Sequence, residues 1–267
     1  MMNFIPKLVK AVDTRRSYRN FLPEELNSED YEKVLNYIRD LKIPFDHNVD
    51  ISLYLAPKKE SIVYFKGPRH FTALFAPISI LEQAKLGFIG ELVVLFCESI
   101  NLKTCWMGHY NKEVINRIVG NDLGKNNSKL LYCIIPIGYP NKSNSLIDSL
   151  SKKILSKKRK TVESFLHTDS LTEFHENIHN ALELACKAPS AMNSQKWYYL
   201  IQKKGDKISI ELSKPPGYQH IKWKYYDIDV GTAAAHIWLG LIAESYHPIV
   251  KLENINTNVV WTFLLSI

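Results

Sequence analysis

Apolar side chains recur every three or four positions in five segments of the chain, and this period predicts α-helices. The first begins at Asn27 or Ser28, followed by Glu and Asp, as is typical of a helix N-cap. The two longest segments are apolar on most sides, so we expect them to be buried central helices. The predicted helices span about 27–41, 80–100, 111–119, 172–187 and 229–246.

Shorter runs of β-branched, aromatic and other apolar residues predict strands between these helices. One of them, Leu130–Ile137, is mostly apolar and ends at Gly138-Tyr139-Pro140, which is typical of a strand buried on both faces. A short helix-like segment also precedes Arg15. The predicted strands are 51–55, 71–76, 130–137, 197–202, 207–212 and 259–267.

The order of elements resumes after residues 141–160, a polar segment rich in Ser, Lys and Asn that we interpret as a linker. At a separation of 144 positions (159 − 15), "RRSYRNF" (15–21) aligns with "RKTVESF" (159–165). One position further, "KIPFDHNVDISLYL" (42–55) aligns with "KAPSAMNSQKWYYL" (187–200). Small insertions in one half would produce such a gradual change in the separation of the aligned segments.

The two long predicted helices extend this alignment, because Glu98-Ser99 aligns with Glu244-Ser245 at a separation of 146 (244 − 98). Each match is weak, but their shared order favours an internal duplication. We therefore expect a pseudo-symmetric dimer within one polypeptide, with a first half of residues 1–150 intertwined with a shorter second half of residues 151–267.

Composition places the chain among ordinary globular proteins, since it has 267 residues of which 46% are hydrophobic and 23% charged. Because no run approaches the roughly 18 apolar residues of a membrane span and the N-terminus lacks a secretory signal, we expect a cytosolic protein without a membrane partner. The four cysteines are predicted to be buried thiols in a reducing compartment. His175 and His179 could share a helix face, but surface histidines are favoured over a metal site.

A net charge of +7 raises nucleic acid as a partner. Much of the excess is local, in Lys152-Lys153 and in residues 157–160, and no zinc-finger or RNA-binding aromatic signature accompanies it. A solvated face or an anion site is therefore favoured, and no nucleic-acid partner is expected. The chain also lacks both G-x-G-x-x-G and G-x-x-x-x-G-K-[ST], so any nucleotide must be held in another way.

Three short constellations could carry binding chemistry. The first places guanidinium and hydroxyl groups where they can converge on a tetrahedral anion, although an exposed basic turn would have the same sequence. The second offers amide and hydroxyl groups to a heteroaromatic edge, or else an ordinary turn whose polar groups cap one another. The third permits close backbone approach to a flat ligand, or simply ends a helix. The first constellation consists of Arg15, Arg16, Ser17 and Arg19. The second consists of Pro189, Ser190, Asn193 and Gln195, and the third of Trp106, Met107 and Gly108.

Together these residues resemble the nitroreductase family of flavoproteins, and in particular its duplicated single-chain members. The resemblance rests on "RRSYRNF", "APSAMNSQKW", "NLKTCWMG", "IGYP" and "KKRK", and covers about residues 10–246. It implies an α+β fold in which a mixed sheet is flanked by helices. Family members are normally intertwined homodimers with FMN at the subunit interface.

The resemblance also implies roles for the motifs. The Arg/Ser motif would hold the FMN phosphate and ribityl chain, joined by Lys157 and Arg159, although a solvated charge run is the commoner meaning of such a string. The Pro189-Ser190-Ala191 segment with Asn193 and Gln195 would grip the ring, and the Trp106–Gly108 loop would lie along it. Lys66 is a further candidate cation near the ring.

One complete site is expected per chain. The first half keeps the arginine motif and the Trp106–Gly108 loop, whereas its proline loop has become "PFDHNVD". The second half keeps the proline loop, but Glu163 stands where the first half has Arg19. A carboxylate beside a phosphate is repulsive, so the second pseudo-symmetric site is predicted to be lost. We therefore expect one FMN per chain and, because the partner half is internal, a monomer.

By the same resemblance, the expected activity is hydride transfer from NAD(P)H through FMN to a small electron-poor acceptor, a nitroaromatic or a quinone. Residues 214–227 are a candidate lid, or simply a hydrophobic loop. Two alternatives stay open at this point. One is a non-catalytic flavin-binding or storage protein, and the other is a basic nucleic-acid-binding protein.

Overall fold

The computed structural model describes residues 4–125, 128–141, 159–219 and 223–266, and within these ranges the chain forms six α-helices and eight β-strands. Helices and strands are mixed along the chain, so the predicted α+β class is confirmed. In chain order the elements are α1 (Ile5–Thr14), α2 (Ser28–Arg39), β1 (Asp50–Leu55), β2 (His70–Pro77), α3 (Ile80–Ser99), β3 (Lys103–Thr104), α4 (Lys112–Lys125), β4 (Lys129–Gly138), α5 (Glu176–Cys186), β5 (Tyr198–Lys204), β6 (Lys207–Ser213), α6 (Tyr226–Ala243), β7 (Ile249–Ile255) and β8 (Asn258–Ser266).

All five predicted helices and six predicted strands are present, with different ends. The helix predicted to end at Val119 continues to Lys125, and the one predicted from Thr172 begins at Glu176, where His175 caps it by accepting from a backbone N–H. Strand β7 was not predicted; it lies at an exposed sheet edge, and its apolar alternation is confined to Val250–Glu253. Most of the predicted linker, residues 142–158, lies outside the described residues.

The strands form two four-stranded sheets with the same topology. Their orders are β1-β2-β4-β3 and β5-β6-β8-β7, and every ladder within them is antiparallel. Single parallel bridges, Ser17 with Thr104 and Leu166 with Tyr199, make each sheet mixed at one edge. Two sheets with identical connectivity are what the predicted pseudo-dimer requires.

The helices α3 and α6 cross at very short range through two glycines. A Cβ on Gly87 would lie 2.0 Å from the carbonyl oxygen of Ile228, and a Cβ on Gly231 would lie 1.9 Å from that of Ala84. Both pairs are related by 144 positions (231 − 87 and 228 − 84), the separation at which the arginine motif repeats. Each half therefore presents the same patch to the other, as across a two-fold axis.

One hydrophobic cluster includes α3, α6 and the inner faces of both sheets, with Leu74, Leu92, Leu212 and Leu239 among its buried members. A smaller cluster on the outer face of the first sheet packs β2 and β4 against α4. The two halves thus share a core. Among the helices of the described ranges, none is both long enough and apolar enough to cross a membrane.

Candidate functional site

A cavity of about 360 Å³ lies where the three predicted constellations meet. Both halves of the chain contribute to its wall, and its volume is in the usual range for a small-molecule site. The lining residues are Ser17, Arg19, Trp106, Met107, Gly108, His109, Cys133, Pro189, Ser190, Ala191, Met192, Trp223, Ile228, Asp229 and Thr232.

The arginine motif reaches the cavity because it runs beside β3. Ser17 forms a parallel bridge with Thr104, and the Tyr18 N–H donates to the Thr104 carbonyl at 2.9 Å. Strand β3 leads directly into the Trp106–Gly108 loop, in which Met107 exchanges two backbone hydrogen bonds of 3.0 Å with Ile134 of β4. The sheet edge therefore fixes the Ser17 and Arg19 side chains next to that loop.

The proline loop is fixed by the first two turns of α6. The Ala191 N–H donates to Asp229 Oδ2 at 2.8 Å, and the Thr232 hydroxyl donates to the Pro189 carbonyl at 2.7 Å. Asp229 and Thr232 are three residues apart, so both side chains lie on one face of the helix. That face and the loop together make the second-half wall of the cavity.

Other predicted binding residues brace the proline loop. Arg159 donates to the Ala188 carbonyl at 2.7 Å and to Asn193 Oδ1 at 2.9 Å. Gln195 is buried, and its side-chain oxygen accepts from the Lys160 N–H at 3.1 Å. Burial, with the nearby Arg15 charge, lowers the pKa of Arg159 to about 10. The resemblance implies that Arg159, Asn193 and Gln195 contact the cofactor. In the structure they lie behind the cavity wall and do not line the cavity.

Arg15 also lies behind the wall, in a buried network between the halves. Its Nε atom is 3.7 Å from Glu91 Oε1, which is 3.0 Å from His236 Nε2. The other Glu91 oxygen accepts from Trp106 Nε1–H at 2.8 Å. His236 Nδ1 lies 2.9 Å from the Leu184 carbonyl, which can only accept, so Nδ1 carries a proton. Glu91 thus joins the arginine motif and the Trp106 loop to α6.

The remaining predicted cations do not reach the cavity. Arg16 and Lys66 are exposed, and neither is among the lining residues. The Lys66 backbone instead supports the arginine motif, since its carbonyl accepts from the Phe21 N–H at 2.9 Å. Lys157 lies outside the described residues.

Asp229 is one of several lining residues that the sequence analysis missed, because it lies within a helix identified by its apolar character. Asp229, Thr232 and His236 recur every three or four positions on this helix and all three are buried. Burial, opposed by the Ala191 hydrogen bond and reinforced by the Asp227 charge, raises the pKa of Asp229 to about 8. The sequence feature that could have revealed Asp229 is the recurrence of polar residues every three or four positions in an otherwise apolar helix.

The candidate lid contributes one ring to the site. Trp223 lines the cavity beside Gly108, where an added Cβ would lie 2.2 Å from the indole. The Trp223 indole packs edge-on against Tyr225, with ring centroids 5.3 Å apart. Residues 220–222 of the candidate lid lie outside the described residues.

Comparison with known families identifies the chain. Residues 7–241 match the model of a family described as "Putative TM nitroreductase". The protein belongs to this nitroreductase family. The predicted resemblance is therefore confirmed, over most of the chain.

A solved nitroreductase shows the same fold. A nitroreductase of Thermotoga maritima superposes with a TM-score of 0.63 at 23% identity, covering 97% of this chain and 93% of that one. An FMN-dependent nitroreductase of Clostridium difficile gives 0.40 at 15% identity, covering 54% of this chain and 94% of that one. A Bacteroides fragilis nitroreductase with bound FMN gives 0.43 at 11%, covering 63% and 98%. A comparison with curated protein sequences finds no match.

In this nitroreductase, aromatic rings fill the position that the predicted duplication relates to the cavity. Phe88 stands 144 positions before Thr232 (232 − 88), and Phe45 aligns with Ser190. With Trp261 of β8 they form a cluster whose ring centroids lie 5.0, 5.2 and 5.4 Å apart. Phe88 and Trp261 are fully buried. At the aligned positions the cavity has Thr232 and Ser190, whereas its counterpart has the large rings of Phe88 and Phe45.

The segment of the second half that aligns with the arginine motif also differs from it. Glu163, the counterpart of Arg19, is exposed, and its carboxylate lies 3.2 Å from His179 Nε2. A hydrogen bond from Thr161, with His179 contributing, lowers the pKa of Glu163 to about 2. A carboxylate that stays ionised opposes a bound phosphate.

Proposed function

We propose that this nitroreductase is an FMN-dependent oxidoreductase that passes hydride from NAD(P)H to a small electron-poor acceptor, such as a nitroaromatic or a quinone. One observation carries the proposal. Ser17 and Arg19, the Trp106–Gly108 loop and the Pro189–Ala191 loop, which are separate in sequence, line one cavity. These are the segments by which the sequence resembles a flavin-binding family.

The residues of the cavity fit the phosphate end of FMN. Arg19 supplies a guanidinium, which suits bidentate phosphate contacts, and Ser17 supplies a hydroxyl beside it. The Arg15 charge is already close to Glu91. We therefore assign the main phosphate attraction to Arg19, with Arg15 adding longer-range positive potential.

The remaining wall fits a flat ring with one polar edge. Trp106, Met107, Trp223 and Ile228 provide apolar and aromatic surface, which suits an isoalloxazine. Ser190 keeps its hydroxyl at the cavity, where it accepts from the Gln195 N–H at 3.0 Å and so retains a hydrogen to donate. The fit covers both ends of the cofactor.

Bound FMN would supply the hydride chemistry. The chain's own residues would bind, orient and shield it: Arg19 and Ser17 hold the anion, the two loops fix the ring plane, and Trp223 excludes water. Because one cavity serves both substrates, we propose that the nicotinamide leaves before the acceptor enters.

We further propose that residues 1–150 and 151–267 act as the two subunits of a family dimer, joined in one chain. The first contributes Ser17, Arg19 and the Trp106–Gly108 loop, and the second contributes the proline loop and α6. The aromatic cluster at the pseudo-equivalent position supports a single FMN per chain. An internal partner makes a monomer sufficient, and we expect that state.

The proposal is tested with the purified full chain in three steps. FMN is added and its absorption spectrum is followed, NADH or NADPH is then added without oxygen, and menadione or nitrofurazone follows. We expect saturable FMN binding, bleaching of the flavin band by a nicotinamide, and recovery on adding the acceptor. FMN that binds but is never reduced supports a flavin-storage protein instead, and no FMN binding contradicts the proposal outright.

A further inference from the structure

Asp229 places a carboxyl group in the wall of the candidate site. Among the described lining residues it carries the only carboxyl, and it is 6% exposed. Its Oδ2 atom accepts from the Ala191 N–H at 2.8 Å. When this carboxyl is protonated, the carbonyl-like Oδ2 keeps that hydrogen bond, so the acidic hydrogen is best placed on Oδ1.

We propose that Asp229 is the proton donor of this site and delivers its carboxyl hydrogen to an oxygen of the acceptor as the acceptor is reduced. This inference rests on the proposed function. For a quinone, hydride from NAD(P)H supplies two electrons and one proton. The Asp229 O–H bond breaks as the quinone O–H bond forms, which completes the hydroquinone. The remaining carboxylate is then protonated from water.

The groups that face Asp229 favour its neutral form. Asp227 stands on the same helical turn and pairs with Lys214 at 2.9 Å, and its negative charge raises the pKa of Asp229. Tyr218, Tyr226 and Cys133 are further titratable groups that interact with Asp229. Burial is the largest cause of its raised pKa, about 8, and outweighs the first-turn position, which favours a carboxylate.

Across the cavity, Arg19 and His109 are the other ionisable side chains of the described lining, besides Cys133. A guanidinium holds its protons too tightly to donate one, and burial raises the pKa of the Cys133 thiol. His109 is exposed, and its ring stacks on Tyr64 at 5.0 Å. Asp229 therefore combines a transferable proton with a shielded position, which is what a general acid requires.

The protonation state is tested without turnover. Infrared difference spectra of the full chain, with and without FMN, are recorded between pH 6 and about 10. We expect a carboxylic-acid carbonyl band that fades with a midpoint near 8, the raised pKa of Asp229. The band should be absent from Asp229→Asn and retained in Asp227→Asn, a matched buried carboxyl outside the cavity. A band that survives in Asp229→Asn overturns the assignment.

The role is tested by separating the two half-reactions in a stopped-flow spectrometer. In Asp229→Asn, bleaching of bound FMN by NADH should keep its rate, because that step takes no proton from the acid. Reoxidation by menadione should slow at least tenfold, within the range for a lost general acid. Glu163→Gln, a change outside the cavity, should reoxidise within about twofold of the wild type, since general-acid losses are much larger.

Unchanged reoxidation in folded Asp229→Asn overturns the inference and leaves the proposed function standing. A wild-type chain that binds no FMN, or whose FMN is never reduced, overturns both. The two failures are therefore distinguishable in one set of measurements.

Discussion

Gly231 lies against Ala84 so closely that a Cβ on the glycine would stand 1.9 Å from the Ala84 carbonyl oxygen. The backbones of α3 and α6 therefore touch at this point, and any side chain there must push them apart. Helix α3 carries Glu91, and helix α6 carries Asp229, Thr232 and His236. The spacing of the two backbones thus sets the position of the second-half wall of the cavity.

Gly231→Ala should destabilise the protein by about 1–3 kcal/mol or more, because the added methyl group meets backbone that cannot rotate away. Gly120→Ala is the matched control: this glycine is on α4 with nothing within 4 Å of an added Cβ, so alanine should stabilise by about 0.5–1 kcal/mol. Chemical denaturation of the two variants compares them. Equal stability of Gly231→Ala and the wild type would contradict the close contact.

Arg19→Ala should weaken FMN binding about 10- to 100-fold, since a charge-assisted hydrogen bond contributes about 1.5–3 kcal/mol. Glu163→Ala alters the pseudo-equivalent residue, which lies outside the cavity, and should leave the FMN dissociation constant unchanged. Fluorescence titration of FMN measures both. If the two variants bind equally well, the first-half motif is not the phosphate site.

Glu91→Gln should destabilise the protein by about 1–3 kcal/mol at neutral pH. The amide oxygen can still accept from Trp106 Nε1–H, but the buried Arg15 and His236 lose the carboxylate that lies beside them. Glu98→Gln, on the same helix but paired with the partly exposed Lys103, should cost less than about 1 kcal/mol. Urea unfolding measures both variants, and equal stability of Glu91→Gln and the wild type would contradict a role for the Glu91 carboxylate in this network.

Stability should fall as pH rises from 5 to about 9, because the Asp229 pKa is raised in the folded chain. The pKa of Asp is about 4 in the unfolded chain and about 8 for Asp229 in the folded chain. Between these two pH values the folded state binds more protons than the unfolded state. At about 1.4 kcal/mol for each pKa unit, the loss amounts to a few kcal/mol. Asp229→Asn should flatten this dependence in thermal melts, and Asp227→Asn, which removes a second raised pKa and a charge close to Asp229, should flatten it less. An unchanged slope in Asp229→Asn would count against a raised pKa.

Much of the fold was predictable from the chain alone, because its longest elements have strong apolar patterns. Helices α3 and α6 are apolar on most sides, and the 144-position repeat of the arginine motif matched the relation between Gly87 and Gly231. Strand β7 could not be predicted in the same way. Its partly buried Val250 and Leu252 alternate with exposed Lys251 and Glu253 over only four residues at a sheet edge, which is a short pattern.

The candidate site was predictable where it consists of short contiguous motifs, as for Ser17, Arg19 and the Trp106–Gly108 loop. It was not predictable where a side chain's role depends on its three-dimensional neighbours. Arg159 has the charge of a phosphate ligand, yet it binds the Ala188 carbonyl behind the wall. Asp229 reaches the cavity only because α6 packs on the proline loop. Binding roles for the predicted residues stay predictions until a ligand is bound.

The number of FMN molecules bound by one chain tests the central claim most directly. Purified protein of known concentration is titrated with FMN by calorimetry, and the molar mass of the complex is measured by light scattering. A single cavity built by both halves, with Phe45, Phe88 and Trp261 filling its counterpart, predicts one FMN per 267-residue chain in a monomer. Two FMN molecules per chain, or one shared between two chains, would contradict it.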